Sequence, residues 1–214
     1  MNIIMIGAQG SGKGTQAETL ERELSLKPCA SGDLLRDHIA RATPLGRAAQ
    51  PYVERGDLVP DELVVQMILD FIRSKGSVGI VLDGFPRTTG QAEKLDADMA
   101  RMGQKIDRVI YLEVPREMLF DRLSGRYICR AHGHVWNIKT RPPKVPGICD
   151  SDGSELYQRS DDTPEKITRR LDIFFSETIK LLDFYQAQGK LLRVDGAQPI
   201  DEVSRTILAA LRGK

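Results

Sequence analysis

The sequence predicts an α/β fold, a P-loop three-layer doubly wound parallel sheet with a helical insertion and a small β-rich lid. Three observations predict it. The apolar run Met1-Asn-Ile-Ile-Met-Ile6 leads into Gly7-Ala-Gln-Gly-Ser-Gly-Lys-Gly-Thr15 and then a helical stretch, which reads as strand, tight turn and helix start. Further runs, Gly79-Ile-Val-Leu-Asp83 and Ile106 to Val114, are apolar with little polar alternation, as parallel strands covered on both faces are. Helical stretches separate these runs, the alternation that winds a sheet on both faces.

Taken in order, the first helix spans Gln16 to Leu24. Cys29, beside Pro28 and Ala30, reads as a small core residue. Ser31-Gly-Asp-Leu-Leu-Arg36 opens a second helix with Ser31 or Asp33 as its N-cap. Thr43-Pro-Leu-Gly46 breaks that helix, and a short one follows through Tyr52-Val-Glu-Arg55. Gly56-Asp-Leu-Val-Pro60 is a turn, after which Asp61 caps a helix to about Ser74. The segment from about 30 to 60 therefore reads as an insertion between two core strands. Asp83 ends the next strand, Gly84-Phe-Pro-Arg87 turns, and a helix runs from about Thr89 to Met102. After the strand ending at Val114, Pro115 opens the helix Arg116 to Leu123. Between Gly125 and Thr163 the helical period vanishes and two His, two Cys, three Pro and four Gly appear, which marks a second insertion. Helix resumes at Pro164 and runs to about Gln188, ended by Gly189. Leu191-Leu-Arg-Val194 is the last strand and Ile200 to Leu211 the closing helix.

At 214 residues the chain fits one domain with insertions. Lys plus Arg number 31 against 30 Asp plus Glu, so no net field draws it to nucleic acid or to a membrane surface. Any anion site must be built locally. No signal-like N-terminus and no apolar run of bilayer length are present, so a soluble cytoplasmic protein is expected. The three cysteines cannot all pair.

The glycine-rich turn follows the pattern G-x-x-x-x-G-K. Its glycines let the backbone fold round a phosphate with N–H groups pointing inward, while Lys13 and the helix N-terminus add positive charge. A hydroxyl usually follows the lysine directly. Here Gly14 intervenes and the hydroxyl arrives at Thr15, which points to small nucleotide kinases rather than GTPases. Asp83, at the carboxyl end of a parallel strand, is expected to meet this loop in the ligand crevice.

The second insertion carries its own signal. Cys129-Arg-Ala-His132 and Cys149-Asp-Ser-Asp152 are two ligand pairs with two-residue gaps, the spacing that puts both side chains of a tight turn on one ion. A structural Zn²⁺ is the simplest occupant, with Co²⁺ or Fe²⁺ suited to the same donors. His134 is the rival ligand to His132, and a metal-free lid held by hydrogen bonds among these side chains is the alternative to a metal site.

Together the loop Gly7 to Thr15, Ser31 to Arg36, Ile80-Val-Leu-Asp-Gly-Phe-Pro-Arg-Thr-Thr-Gly-Gln91, Asp121-Arg-Leu-Ser-Gly-Arg126, Tyr157-Gln-Arg159-Ser-Asp-Asp162 and Ile167-Thr-Arg-Arg170 resemble the adenylate kinase family in its long-lid form, across nearly the whole chain. Gln9 stands where most members have proline and Ser31 where many bacterial members have threonine; neither change removes a needed group. In zinc-lid members the pattern is C-x₂-C with C-x₂-C or C-x₂-D, so His132 would replace a cysteine. The resemblance implies reversible phosphoryl transfer from MgATP to AMP giving two ADP by a monomer, in adenine nucleotide homeostasis. It implies a core of residues 1–29, 60–121 and 164–214, an AMP-binding insertion at 30–59 and a lid at 122–163. Lys13, Asp83, Arg87, Arg122, Arg126, Arg159 and Arg170 would be catalytic, with Asp83 organising the water shell of Mg²⁺. ATP would lie on Gly10, Ser11, Gly12, Lys13, Gly14 and Thr15, with Arg122, Arg126, Val135, Trp136 and Gln198 nearby. AMP would lie on Ser31, Arg36, Asp57, Leu58, Val59, Gly84, Phe85, Pro86, Arg87, Gln91, Arg159 and Arg170. Trp136 has a second reading as lid core, since buried aromatics usually pack.

Overall fold

A computed structural model describes residues 1–55 and 57–213, so Gly56 of the expected turn lies outside the described residues. Five parallel strands form the central sheet: β1 (Ile3–Ile6), β2 (Lys27–Ala30), β3 (Ile80–Asp83), β4 (Arg108–Glu113) and β8 (Leu191–Asp195), in the order β2-β3-β1-β4-β8. Met5 and Ala30 both register with Asp83, so the loops leaving β1, β2 and β3 rise from one edge.

Side chains alternate across the sheet. Ile3, Met5, Val81, Ile110 and Leu112 face α1 (Lys13–Leu24) and α9 (Ile200–Leu211), packing on Ala17, Leu20, Val203 and Ile207. Ile4, Ile6, Leu82, Val109 and Tyr111 face the other way. They meet α4 (Asp61–Lys75), α5 (Thr89–Arg101), α6 (Arg116–Ser124), α7 (Pro164–Ser176) and α8 (Leu181–Ala187). Burial on both faces explains the unbroken apolar strands. Each fully buried Ile or Leu contributes roughly 1.5–3 kcal/mol, which fixes the sheet on which the loops are mounted.

Three elements differ from expectation. β2 is an edge strand whose Pro28 and Lys27 hide its character, and Pro is confined to such edges because it cannot donate to a ladder on both sides. The expected single helix from Pro164 is interrupted by Glu177 and a 3₁₀ turn, Thr178–Lys180, before α8 begins. The expected caps are also absent. α2 (Ser31–Ala40) starts after Ala30 with no side-chain cap, and α4 follows Pro60, Asp61 being turned to α5 instead. α3 (Pro44–Arg55) completes the helical insertion. The lid is a small antiparallel sheet of β5 (Arg126–Cys129), β6 (Val135–Asn137) and β7 (Leu156–Tyr157), in the order β6-β5-β7. Among the described residues no helix is long and apolar enough to cross a membrane.

Candidate active site

The loop after β1 closes tightly. A Cβ on Gly10, whose φ is +83°, would stand 3.1 Å from Leu123 Cγ and 3.3 Å from the Leu119 carbonyl, so α6 packs against bare backbone there. Gly12 is the left-handed residue that launches α1, placing Lys13, Gly14 and Thr15 in its first turn. The Lys13 ammonium donates to the carbonyls of Gly7 at 2.9 Å and Ala8 at 3.1 Å and lies 3.8 Å from Asp83 Oδ1. A Cβ on Gly14 would stand 3.8 Å from the other Asp83 oxygen. The Ser11 hydroxyl and the Gln9 Oε1 are buried beside this loop without a protein partner. The phosphate loop and Asp83 thus meet at the sheet edge.

The segments that follow β2 and β3 adjoin it. Gly84 has φ +76°, and a Cβ there would lie 2.9 Å from Ser31 Oγ and 3.3 Å from an Arg87 nitrogen, so only glycine lets these two approach. Arg87 donates to the Gly84 carbonyl at 2.7 Å. Phe85 is fully buried, and the bond from it to Pro86 is cis. The Arg36 guanidinium folds over Gly32 and pairs with Asp33. Gln91 is 2% exposed; its Oε1 accepts from the Arg87 N–H and its Nε2 donates to Asp61, each at 2.7 Å. Val59 is buried, Leu58 half-buried, and Asp57 pairs with Arg55 and Arg169.

Arginines converge from the lid and its hinges. Arg126 forms a two-pronged pair with Asp162, at 2.8 and 2.6 Å, and Arg170 reaches the same carboxylate at 3.1 Å and Asp161 at 3.2 Å. The Asp162 side chain is 0% exposed, so it is the buried counter-ion of two arginines. Arg159 faces Asp33 at 3.4 Å. Arg122 donates to the Gly196 carbonyl at 3.2 Å and to Gly10 at 3.4 Å, tying the phosphate loop to the turn after β8. Gln198 lies on that turn with its amide donated to Asp195.

The electrostatics report the same convergence. Burial pushes Lys13 below its ordinary pKa, Asp83 opposes the shift, and Arg87, Arg170 and Arg126 add to it. Burial and then Arg170 bring Arg87 down to about 10. Burial likewise lowers Arg159 and Arg170, with Arg36 and Arg126 among the repelling neighbours. Cations that repel one another in a buried crevice are a site for a polyanion. A GTPase-like arrangement would not need so many arginines from separate segments.

The lid cluster is built from two turns of one design. Cys129 N–H donates to the His134 carbonyl while Gly133 N–H returns to Cys129; Cys149 and Ser154, with Gly153, repeat the pattern. His134 Nδ1 lies 3.4 Å from both Cys129 and Cys149 sulfurs and 3.2 Å from Asp152 Oδ2. Cys129 Sγ is 3.2 Å from the same oxygen. Bonds of about 2.0–2.3 Å at tetrahedral angles give edges of about 3.3–3.8 Å, so the donor set Cys129, His134, Cys149 and Asp152 is close to fitting one ion. The expected His132 is outside this group. It is mostly exposed and hydrogen-bonds Asp152 Oδ2 at 2.9 Å, because Gly133 reverses the chain and brings His134 inward. The Ser154 N–H first, then the side chains around it, hold the Asp152 carboxyl far below the usual range. Burial raises the Cys129 thiol, but the N–H groups that His132 and His134 donate to its sulfur help lower it overall. Trp136 is lid core: it is 6% exposed beside Cys129, Cys149 and Leu156, and the Arg141 guanidinium stands 5.0 Å from its ring centre. That face is therefore not offered to a base, whereas Val135 is half-exposed.

Asp61, Asp161, Asp162 and Gly196 are the site-lining groups that sequence reasoning missed. A signal for the two lid aspartates existed, since buried arginines require counter-ions and Asp161-Asp162 adjoin Arg159.

The family model for adenylate kinase matches residues 5–190. Over 213 residues the chain is 45% identical to the adenylate kinase of Carboxydothermus hydrogenoformans, covering 99% of this chain and 100% of that protein. It is 44% identical to the adenylate kinase of Brevibacillus brevis over the full length of both, and 42% identical to that of Staphylococcus aureus over 99% of each. With the phosphate loop, the acceptor-side arginines and the lid all placed on one sheet edge, the chain belongs to the adenylate kinase family.

Proposed function

We propose that these residues carry out the reaction of the family, transfer of a phosphoryl group from MgATP to AMP with two ADP as products, in the following roles. The convergence of Lys13, Arg87, Arg126 and Arg170 is the observation that supports the reading: Arg87, Arg170 and Arg126 repel Lys13, Arg170 repels Arg87, and Arg126 repels Arg170. Such a transfer needs in-line positioning and neutralisation of charge spread over the moving group, and fixed cations supply both. The loop N–H groups from Gly10 to Thr15 and Lys13 hold the donor's β and γ phosphates. Arg122, Arg126, Arg159 and Arg170 close on the transferred group, and Arg36 and Arg87 grip the acceptor's phosphate in two-pronged fashion.

Adenylate kinases use Mg²⁺ with ATP, and the ion would supply neutralisation of phosphate charge when bound. Asp83, which lies beside Lys13 and Gly14, would hold its water shell. Ser31, Leu58, Val59 and Gln91 form the acceptor base pocket, with the backbone of Asp57. Val135, Arg122 and the Gln198 backbone border the donor base. Segments 30–59 and 122–163 act as the AMP-binding insertion and the lid of a cytoplasmic monomer.

Cys129, His134, Cys149 and Asp152 would hold a structural Zn²⁺, with Co²⁺ or Fe²⁺ as substitutes. All four positions are protein donors, which leaves none for water or substrate, so the ion serves stability. A coupled assay with MgATP and a panel of monophosphates tests the reading. AMP should give the highest kcat/KM; a pyrimidine or guanine monophosphate in that place would contradict it.

A further inference from the structure

Asp61 was expected to cap its own helix, but its carboxylate spans to the first turn of α5. Oδ1 accepts from Gln91 Nε2 at 2.7 Å and Oδ2 accepts from the Thr88 hydroxyl at 2.9 Å. Thr88 in turn accepts from the Gln91 backbone N–H at 3.1 Å, as the N-cap of α5. On its other side the Gln91 amide is met by the Arg87 backbone N–H, which donates to Oε1 at 2.7 Å.

These partners are chemically one-way. A carboxylate only accepts and a backbone N–H only donates, so rotating the Gln91 amide by half a turn would set oxygen against oxygen and N–H against N–H. An amide carries two N–H groups and two carbonyl lone pairs. One of each is committed here, and the remaining N–H and lone pair are held in a fixed order. A 6-aminopurine presents a donor at its amino group and an acceptor at N1. A 6-oxopurine presents the reverse order. An amide free to turn can serve either ring, whereas a locked one serves a single order.

We propose that Asp61 is a positioning residue that locks the Gln91 amide and thereby sets the preference for a 6-aminopurine acceptor over a 6-oxopurine. The inference rests on Gln91 facing the acceptor base. Without Asp61 only the Arg87 N–H resists rotation, and a lost charge-assisted hydrogen bond corresponds to a change of about tenfold or more.

The test is steady-state kinetics at saturating MgATP with AMP and with inosine monophosphate, for the parent, Asp61→Asn, Asp61→Ala, Thr88→Val and Gln91→Leu, with Tm measured for each. Asp61→Asn keeps the shape but can both donate and accept. It and Asp61→Ala should lower the AMP-to-IMP ratio of kcat/KM about tenfold, through KM, with kcat for AMP held within about twofold. Thr88→Val loses the cap and the other arm of the carboxylate, so it should lower Tm while keeping the ratio. If Gln91→Leu raises KM for AMP but both Asp61 variants keep the parent ratio, Asp61 has no positioning role and the base reading survives. An equal fall of the ratio in Thr88→Val would reduce the effect to general loosening and overturn the proposal. An unchanged KM for AMP in Gln91→Leu would overturn the base reading and the proposal with it.

Discussion

The charged residues of the crevice divide into arginines held by carboxylates, as Arg126 and Arg170 are by Asp162, and Arg87, which rests on the Gly84 carbonyl. Among the described residues the Arg87 guanidinium hydrogen-bonds the Gly84 carbonyl and has no carboxylate in ion-pair contact, Asp83 and Asp161 offsetting the repulsion of Arg170 and Arg36 only from further off. Arg87→Ala should therefore lower kcat/KM by about two to three orders of magnitude with Tm little changed, measured in the coupled assay beside a melting curve. Asp161 is the converse case. Burial works against its ionisation, but Arg170, Arg36 and Arg159 outweigh it and hold its carboxyl below the ordinary 3.8. A folded value below the unfolded one adds stability that is complete above the ordinary carboxylate pKa and fades as pH falls through the folded value. Melting temperature should thus fall with acid below about pH 4, and Asp161→Asn should flatten part of that fall. The cations were legible in the sequence because each sits inside a motif. Asp61 was not, because a carboxylate's partner is set by which helix crosses it, and Asp162 was signalled only by its place beside Arg159.

The lid and the insertion each have their own fastening. Two equivalent turns, at Cys129 to His134 and Cys149 to Ser154, assemble the four-donor cluster. Cys129→Ser should release the metal, lower Tm by several degrees, and leave much of the activity at low temperature, as followed by elemental analysis and melting curves. Complete loss of turnover in a still-folded variant would move the ion into the mechanism. Spacing favoured His132, because the gap from Cys129 to His134 is less regular, whereas the chain turn at Gly133 sets His134 beside both sulfurs. The insertion is joined to the far side by Asp33 to Arg159 and by Asp57 to Arg169. Each pair leaves one partner in solvent, Asp33 in the first and Arg169 in the second, so neither holds the two sides together strongly. Labels on the two segments should approach further, or hold one fixed distance, when a bisubstrate ligand binds, and a distribution that stays broad and unshifted would contradict closure. The break between α7 and α8 had no sequence marker, since neither Gly nor Pro stands at Glu177.

At the scale of the molecule, one sheet edge organises everything. β1 delivers the phosphate loop, β2 delivers Ser31, β3 delivers Asp83 and Arg87, and β8 delivers Gly196. This much was readable from apolar runs of strand length, because strands covered on both faces have no polar alternation to blur them. β2 escaped because an edge strand tolerates Lys27 and Pro28. In the proposed reaction the converging cations pass a phosphoryl group between two nucleotides with water shut out. The most direct measurement follows the label from γ-phosphate-labelled ATP with and without AMP. It should appear in ADP, only when AMP is present, with two ADP formed per AMP consumed. Label released as inorganic phosphate at a comparable rate, with or without AMP, would contradict the claim.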